Sequence, residues 1–242
     1  MPHHLETVNI TDLAAGGAGV GKLADGKIVF APQTFPGDVA LLQIDKQKKR
    51  HAFASMVSLQ TPSSLRRQPE CPHVHDCGGC LWMELDYTAQ LRWKKSVVEQ
   101  TMGRIGRIDM EAKPVVPSPV KLGYRHRVRV KGAMTQNGFT FAYRRRGGNE
   151  LAHISSCPVA HPRINQTMAG LAEFLSSRPT LAGSIDQTLF ETDGGRCRAT
   201  FFPTGAMSQS ALEQMIGHVE GLDGATAMAN GAILGQGGET WL

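Results

Sequence analysis

The chain has 242 residues, 41% of them hydrophobic and 19% charged, which is enough apolar material for packed cores and more length than one average domain uses. No apolar run approaches the ~18 residues of a membrane-spanning helix, and "MPHHLETVNI" lacks the basic start and apolar stretch of a secretory signal, so a cytoplasmic protein with no membrane partner is expected. In that compartment thiols stay reduced and an odd set of five cysteines reads as metal ligands before disulfides, while a formal net charge of +5 favours a polyanion such as nucleic acid.

From Glu6 to Leu59 the pattern is one of short strands. "TVNITDL", "KIVFAP", "DVALLQID" and "HAFASMVSL" carry the strand signal, and the turn pairs Asp25-Gly26 and Pro36-Gly37 punctuate them. Strands at this spacing predict a small barrel or sandwich, and an OB-like β-barrel over residues 1–62 fits the length; such barrels commonly bind oligonucleotides. "GGAGVGK", Gly16 to Lys22, matches the start of a phosphate-binding loop, but Leu23 stands where a Ser or Thr should hold magnesium and no helix pattern follows. It reads instead as a glycine-rich strand connection where close packing or positive φ is needed. The run "KQKKRH" places Lys46, Lys48, Lys49 and Arg50 in a predicted hairpin; these are candidate phosphate contacts, set against the plainer reading of a solvated loop.

"CPHVHDCGGC" follows, a C-x5-C-x2-C loop supplying Cys71, Cys77 and Cys80. Gly78 and Gly79 allow the backbone to curl so that Cys77 and Cys80 face one centre. A closed site needs a fourth ligand, and Cys157, Cys197, His73, His75 and His153 are the candidates. Cys157 sits beside Pro158 in a loop-like stretch; Cys197 sits in an apparent strand, where it packs as a small apolar side chain. Structural zinc usually pairs two short knuckles. Three clustered cysteines with one remote partner instead suit an iron–sulfur centre, and the residues alone leave iron–sulfur, zinc and no metal as alternatives. A thioredoxin-type redox pair is disfavoured, because no strand–turn–helix context surrounds the C-x-x-C.

Residues 87–105 show helical periodicity through Leu91, Val97, Val98, Met102 and Ile105. "YRHRVRVK" reads as a strand with Arg125, Arg127, Arg129 and Lys131 at alternate positions, so the four cations face one way. Side by side they repel unless an anion neutralises them, which predicts a phosphate backbone as partner. "FTFAYRRR" reads as its antiparallel neighbour. Phe139, Phe141 and Tyr143 share a face, as core or as a platform for a splayed base, and Arg144, Arg145 and Arg146 are further RNA-contact candidates. "RINQTMAGLAEFLSSR" and "SQSALEQMIGHVEGL" read as helices, the second capped by Ser208. "QTLFETD", "RCRATFFP" and "TAMANGAIL" read as strands, giving an α+β domain over residues 63–242.

These motifs together resemble the RNA 5-methyluridine (uracil-C5) methyltransferases. The C-x5-CGGC core with Tyr87, Gln90, Leu91, Lys94 and "RIG" resembles their iron–sulfur signature. "GGAGVGK", "DGKIVF" and "FPGD" are similar to their TRAM domain, and "YRHRVRVKG", "FAYRRRGGNELAHISSCPV" and "MSQSALEQM" continue the likeness. The resemblance implies a [4Fe-4S] cluster on Cys71, Cys77, Cys80 and Cys157, with His73 and His75 as bystanders. It implies an α+β multidomain protein that binds RNA, ribosomal before transfer RNA, and acts as a monomer. In the complete enzyme it implies thiolate attack on uracil carbon 6 and methyl transfer from S-adenosylmethionine. The glycine-rich cofactor loop, Asp-Pro-Pro motif and catalytic cysteine of that family have no counterpart before "GAILGQGGETWL". The expectation is therefore the RNA-recognition portion alone, with the Rossmann-like domain missing, no catalytic or S-adenosylmethionine-binding residue, and no methyl transfer by this chain. The alternative is a non-catalytic RNA-binding adaptor holding iron–sulfur or zinc.

Overall fold

The computed structural model describes residues 4–239. They form two compact units, one comprising the chain up to Glu70 together with Cys80–Pro117, the other Cys71–Gly79 together with the chain from Ser118 onward.

The first unit is built on a closed five-stranded barrel: β1 (Leu5–Leu13), β2 (Gly19–Lys22), β3 (Ile28–Ala31), β4 (Val39–Gln47) and β5 (His51–Thr61), in the order β1-β2-β3-β5-β4. Alternation along the strands sends Val8, Ile10, Val29, Ala31, Ala40, Leu42, Ala52 and Ala54 inside. Closure comes from the parallel pairing of β3 with β5. The expected OB-like barrel is present. The strand β2 was hidden in "GGAGVGK", and its glycines are there for close approach. A Cβ on Gly19 would lie 2.1 Å from Thr34 Oγ1 and one on Gly21 2.5 Å from Val8 Cγ1.

A second small core belongs to the same unit. Leu13, Phe35, Leu85 and Ala89 are buried, with Leu65, Trp82 and Trp93 packed against them. The fully buried Asp38 carboxylate accepts from the Phe35 N–H at 2.6 Å, the Ser63 N–H at 2.8 Å and the Arg66 guanidinium at 2.9 Å. The polypeptide past residue 62 is thus stitched to the barrel, and the compact unit includes Cys80–Pro117. Helix α1 (Tyr87–Thr101) starts where Asp86 caps the Thr88 N–H at 2.9 Å, and a π turn (Met102–Gly106) ends it. Its packed face is Ala89 and Trp93, not the expected Leu91–Val98–Ile105 stripe; Val98 and Ile105 are exposed. The aromatic residues decide the facing, because they offer more area to bury than Val or Ile.

The second unit is a seven-stranded sheet: β6 (Arg127–Thr135), β7 (Gly138–Arg144), β8 (Leu151–Ile154), β9 (Ile185–Thr192), β10 (Cys197–Pro203), β11 (Gly224–Ala229) and β12 (Ala232–Gly238), ordered β12-β11-β10-β9-β6-β7-β8. Neighbours are antiparallel except β10 and β11, whose parallel pairing is bridged by α4 (Gln209–His218). Helix α2 (Pro162–Ser176) packs on β7, and the short α3 (Pro179–Gly183) on β6. "TAMANGAIL" is two strands, not one: Asn230 and Gly231, at φ 51 and 80, make the tight turn between β11 and β12. Phe139 and Phe141 are buried, 5.2 Å apart edge-to-face, with Phe190 5.3 Å beyond. They are core, which removes the base-platform reading at that place.

Candidate cysteine centre and basic surfaces

Within the second unit the loop Cys71–Gly79 is held by its own backbone and by the end of β7. The Cys77 N–H donates to His73 O at 2.8 Å, and the Val74 N–H to Cys71 O at 3.3 Å. The Gly78 N–H donates to Arg144 O at 3.0 Å. A side chain on Gly78 would press on Arg144 O at 3.1 Å and on the Arg146 backbone at 3.3 Å, so glycine is required for this approach. Gly79 offers its N–H to Cys77 Sγ at 3.4 Å. The His73 ring engages Ser155 through Oγ at 3.2 Å and N–H at 3.3 Å. That is a structural role, in keeping with His73 as a bystander.

Cys157 lies between β8 and α2. Its N–H donates to Asn165 Oδ1 at 2.8 Å, and Asn165 Nδ2 donates back to Cys157 O at 3.0 Å. His161 caps α2 through Nδ1, and Pro162 opens the first turn, so Asn165 is carried to Cys157 by a defined helix start. Burial pushes the Cys71 thiol up; the nearby Cys157 and Cys77 add to the rise, while the His73 N–H opposes it. The Tyr143 hydroxyl is buried with no hydrogen-bond partner among the described residues. Burial first, then its nearness to Cys157, raises its pKa strongly. A phenol stranded beside sulfurs is a donor suited to a sulfur acceptor. Cys80 follows Gly79 in the chain and, like Cys71, Cys77 and Cys157, is partly exposed and unoxidised. Among the described residues no three His, Cys, Asp or Glu side chains converge tightly enough to hold a single metal ion. The donors present are soft, partly exposed thiols, with an N–H on the Cys77 sulfur and a buried phenol beside Cys157. Cys197 stands apart, fully buried in β10, its thiol pushed up to about 11 chiefly by burial.

Of the expected row of four cations, Arg127, Arg129 and Lys131 stand on β6, while Arg125 precedes the strand in an isolated bridge to Ala160; the row is not bare. Arg127 sits 3.3 Å from Glu191, which Arg198 also engages at 2.8 Å, and Lys131 donates to Asp186 at 2.6 Å. Lys131 is the main cause holding the Asp186 carboxyl below its usual range. Arg129 lays its guanidinium 4.3 Å from the Phe202 ring centroid, and Arg125 lies 5.9 Å from that of Tyr124. The neutralising anions the row calls for are thus partly supplied by β9. The cations still outnumber these carboxylates, so the strip remains positive. Of the following triplet, Arg144 reaches Asn149 Oδ1 at 2.7 Å and Arg145 pairs with Asp76 at 3.0 Å. Arg146 is turned inward toward the carbonyls of Val74 and Cys77 at 3.5 Å. Arg146 is thereby braced against the cysteine loop. In the barrel, Lys46, Lys48, Lys49 and Arg50 are all exposed.

Sequence reasoning does not single out Asn165 or the Tyr143 hydroxyl. The signal for Asn165 is its place in the first turn of a helix that opens just after Cys157. Tyr143 carries only an alternation that also fits plain core.

Residues 5–57 match the TRAM domain family. An uncharacterized RNA methyltransferase of Thermosynechococcus vestitus is 31% identical over 173 residues, which is 71% of this chain and 38% of that protein. The 23S rRNA (uracil(1939)-C(5))-methyltransferase RlmD of Photorhabdus laumondii is 34% identical over 176 residues, 72% of this chain and 40% of that protein. The chain thus spans about two fifths of the length of the curated relatives it matches. The crystal structure of Pyrococcus abyssi tRNA (uracil-54, C5)-methyltransferase with S-adenosyl-L-homocysteine superposes with a TM-score of 0.70 over 96% of this chain and 55% of that one, at 20% identity, a likeness of fold. Residues 5–57 are therefore a TRAM domain, at the head of a chain that is homologous over seven-tenths of its length to proteins described as RNA methyltransferases.

Proposed function

We propose that this chain is the RNA-recognition portion of an S-adenosylmethionine-dependent RNA uracil-C5 methyltransferase, acting in the cytoplasm as a monomer and on ribosomal before transfer RNA. The observation that carries the reading is a TRAM barrel joined, in one chain, to an α+β unit homologous to RNA methyltransferases. The cationic strip of Arg125, Arg127, Arg129 and Lys131, with Arg144, Arg145 and the Lys46–Arg50 run, supplies phosphate contacts. No helix among the described residues is long and apolar enough to cross a membrane.

In this reading Cys71, Cys77, Cys80 and Cys157 hold a [4Fe-4S] cluster, which ties the cysteine loop to the start of α2. Support comes from the Gly79 N–H on Cys77 Sγ, the Asn165 clamp on Cys157 and the buried Tyr143 hydroxyl beside the Cys157 sulfur. Zinc is the alternative; structural zinc sites usually pair two short knuckles, and this loop offers one C-x2-C with a remote fourth cysteine. Cys197 is not assigned the attacking role in this reading: it is buried in β10 with its thiol pushed up to about 11 by burial, and its "GGRCRAT" setting does not resemble that of the family's catalytic cysteine.

The test is binding of the purified chain to 23S rRNA fragments and to a tRNA of equal charge, followed by fluorescence anisotropy across a salt series. Tighter binding to an rRNA fragment, with a steep salt slope, is expected. Absence of RNA binding at about 50 mM salt, where phosphate contacts are strong, overturns the reading. Robust methyl transfer from labelled S-adenosylmethionine by this chain alone overturns the assignment of chemistry to other residues.

A further inference from the structure

The barrel's outer wall carries aromatic rings where a small barrel has no use for them. On β3 and β5 the inward positions are small or aliphatic, Val29, Ala31, Ala52 and Ala54, while Phe30, His51 and Phe53 point outward. Parallel pairing sets Phe30 directly beside Phe53. Their rings are stacked at 5.7 Å with 29° between planes, and the His51 ring meets Phe53 edge-on at 5.2 Å. Phe53 is 42% exposed. Phe30 and His51 are half-buried beside it, so one ring face is left open on a supported aromatic cluster, a feature that marks a binding surface.

The cations gather at the same place. Lys46 is paired in register with Phe53, and Lys48 Nζ lies 5.9 Å from the Phe53 ring centroid, near the outer limit of a cation–π contact. Lys49 and Arg50 complete the turn into β5. The nearest acidic residues are engaged elsewhere: Asp25 by Lys27 at 2.6 Å, and Asp45 by Ser55 at 2.6 Å. Among the described residues Lys46, Lys48, Lys49 and Arg50 have no carboxylate partner.

We propose that Phe53, backed by Phe30 and His51, is a stacking platform for one unpaired base of an RNA strand, with Lys46, Lys48, Lys49 and Arg50 neutralising its flanking phosphates. A flat π-face answers a splayed base, and single strands are recognised by such stacking together with a basic track. A duplex keeps its bases stacked internally and offers no face to Phe53. The proposal rests on the RNA-binding reading above and adds to it the strandedness of the ligand and the residue that reads it.

The experiment compares the full chain with Phe53→Ala, Phe53→Trp and the double variant Lys48→Ala/Lys49→Ala. Binding of a fluorescent ten-nucleotide oligouridylate and of a ten-base-pair RNA duplex is followed by anisotropy across a potassium chloride series. Far-UV circular dichroism verifies the barrel in each variant. Phe53→Ala should weaken single-strand binding by about 5- to 100-fold with an unchanged salt slope and little effect on the duplex. Phe53→Trp should restore it. Lys48→Ala/Lys49→Ala should reduce the slope by about 0.7 for each phosphate no longer neutralised. Folded Phe53→Ala protein that binds the oligouridylate as the parent does, or loses single strand and duplex alike, overturns the platform while leaving RNA binding intact. A parent chain that binds neither RNA overturns both.

Discussion

Replacing Asn165 by Ala should loosen Cys157 without touching a sulfur atom. The Asn165 carboxamide closes a two-bond clamp on the Cys157 backbone, at 2.8 Å from its N–H and 3.0 Å to its carbonyl. In the Ala variant the carbonyl still accepts from the Ala160 N–H at 2.9 Å, whereas the Cys157 N–H loses its carboxamide acceptor. A half-buried N–H left unpaired costs about 1–3 kcal/mol, which in a unit of this size lowers Tm by roughly 2–12 °C. Removing a group that orients a metal ligand typically costs about 10- to 100-fold in metal affinity. Two assays separate these effects. Calorimetry of the iron-free chain reads the clamp alone. Chelator-driven iron release from anaerobically prepared protein reads its hold on the cluster. Asn165→Asp retains the acceptor for the Cys157 N–H but turns a carboxylate toward a carbonyl and the thiolates; it should keep more of the stability than Ala while still losing iron faster than the parent. An Ala variant with parental Tm and parental iron release would refute the reasoning, because the geometry leaves the Cys157 N–H no substitute acceptor among the described residues.

Two further outcomes follow from buried groups. Asp38→Ala takes one carboxylate from the Arg66 guanidinium, which keeps Glu84 at 3.3 Å and the Gln33 carbonyl at 2.7 Å, but leaves the buried Phe35 and Ser63 N–H groups without an acceptor. Each N–H left unpaired costs about 1–3 kcal/mol. The loss should appear in thermal melts followed by the fluorescence of Trp82 and Trp93, which sit in the adjoining core. Cys197, with its thiol near 11, should resist iodoacetamide near the ordinary thiol pKa of about 8.5 in the folded iron-free chain, while Cys71, Cys77, Cys80 and Cys157 are alkylated. A raised pKa leaves the thiol protonated below it, so reactivity should grow only as pH nears 11 or the chain unfolds. Peptide mass spectrometry reads both.

Much of this is legible in local sequence. Alternation marks four of the barrel strands, because each has one wet and one dry face. The strand β2 escapes because Gly19 and Gly21 carry no hydropathy signal; what identifies them is a neighbour at 2.1 Å and 2.5 Å from the Cβ each lacks. The helix after the cysteine loop stands where its periodicity places it but is turned differently. Its facing is set by Trp82 and Leu85, which precede it, as well as by its own stripe. The cations of β6 are visible in the sequence, but not their carboxylates. Asp186 lies 55 residues from Lys131 in the chain, and only the β6–β9 register brings them together. The cysteine loop is legible because spacing and glycines encode it locally, whereas Tyr143 and Asn165 matter only through where their polar ends arrive.

The most direct test is the iron and acid-labile sulfide content of the chain purified without oxygen, measured beside Cys157→Ser and Cys197→Ser. The account predicts a brown protein with about four irons and four sulfides per chain, abolished in Cys157→Ser and retained in Cys197→Ser. A colourless protein with stoichiometric zinc, or a cluster that survives Cys157→Ser and fails in Cys197→Ser, would contradict it.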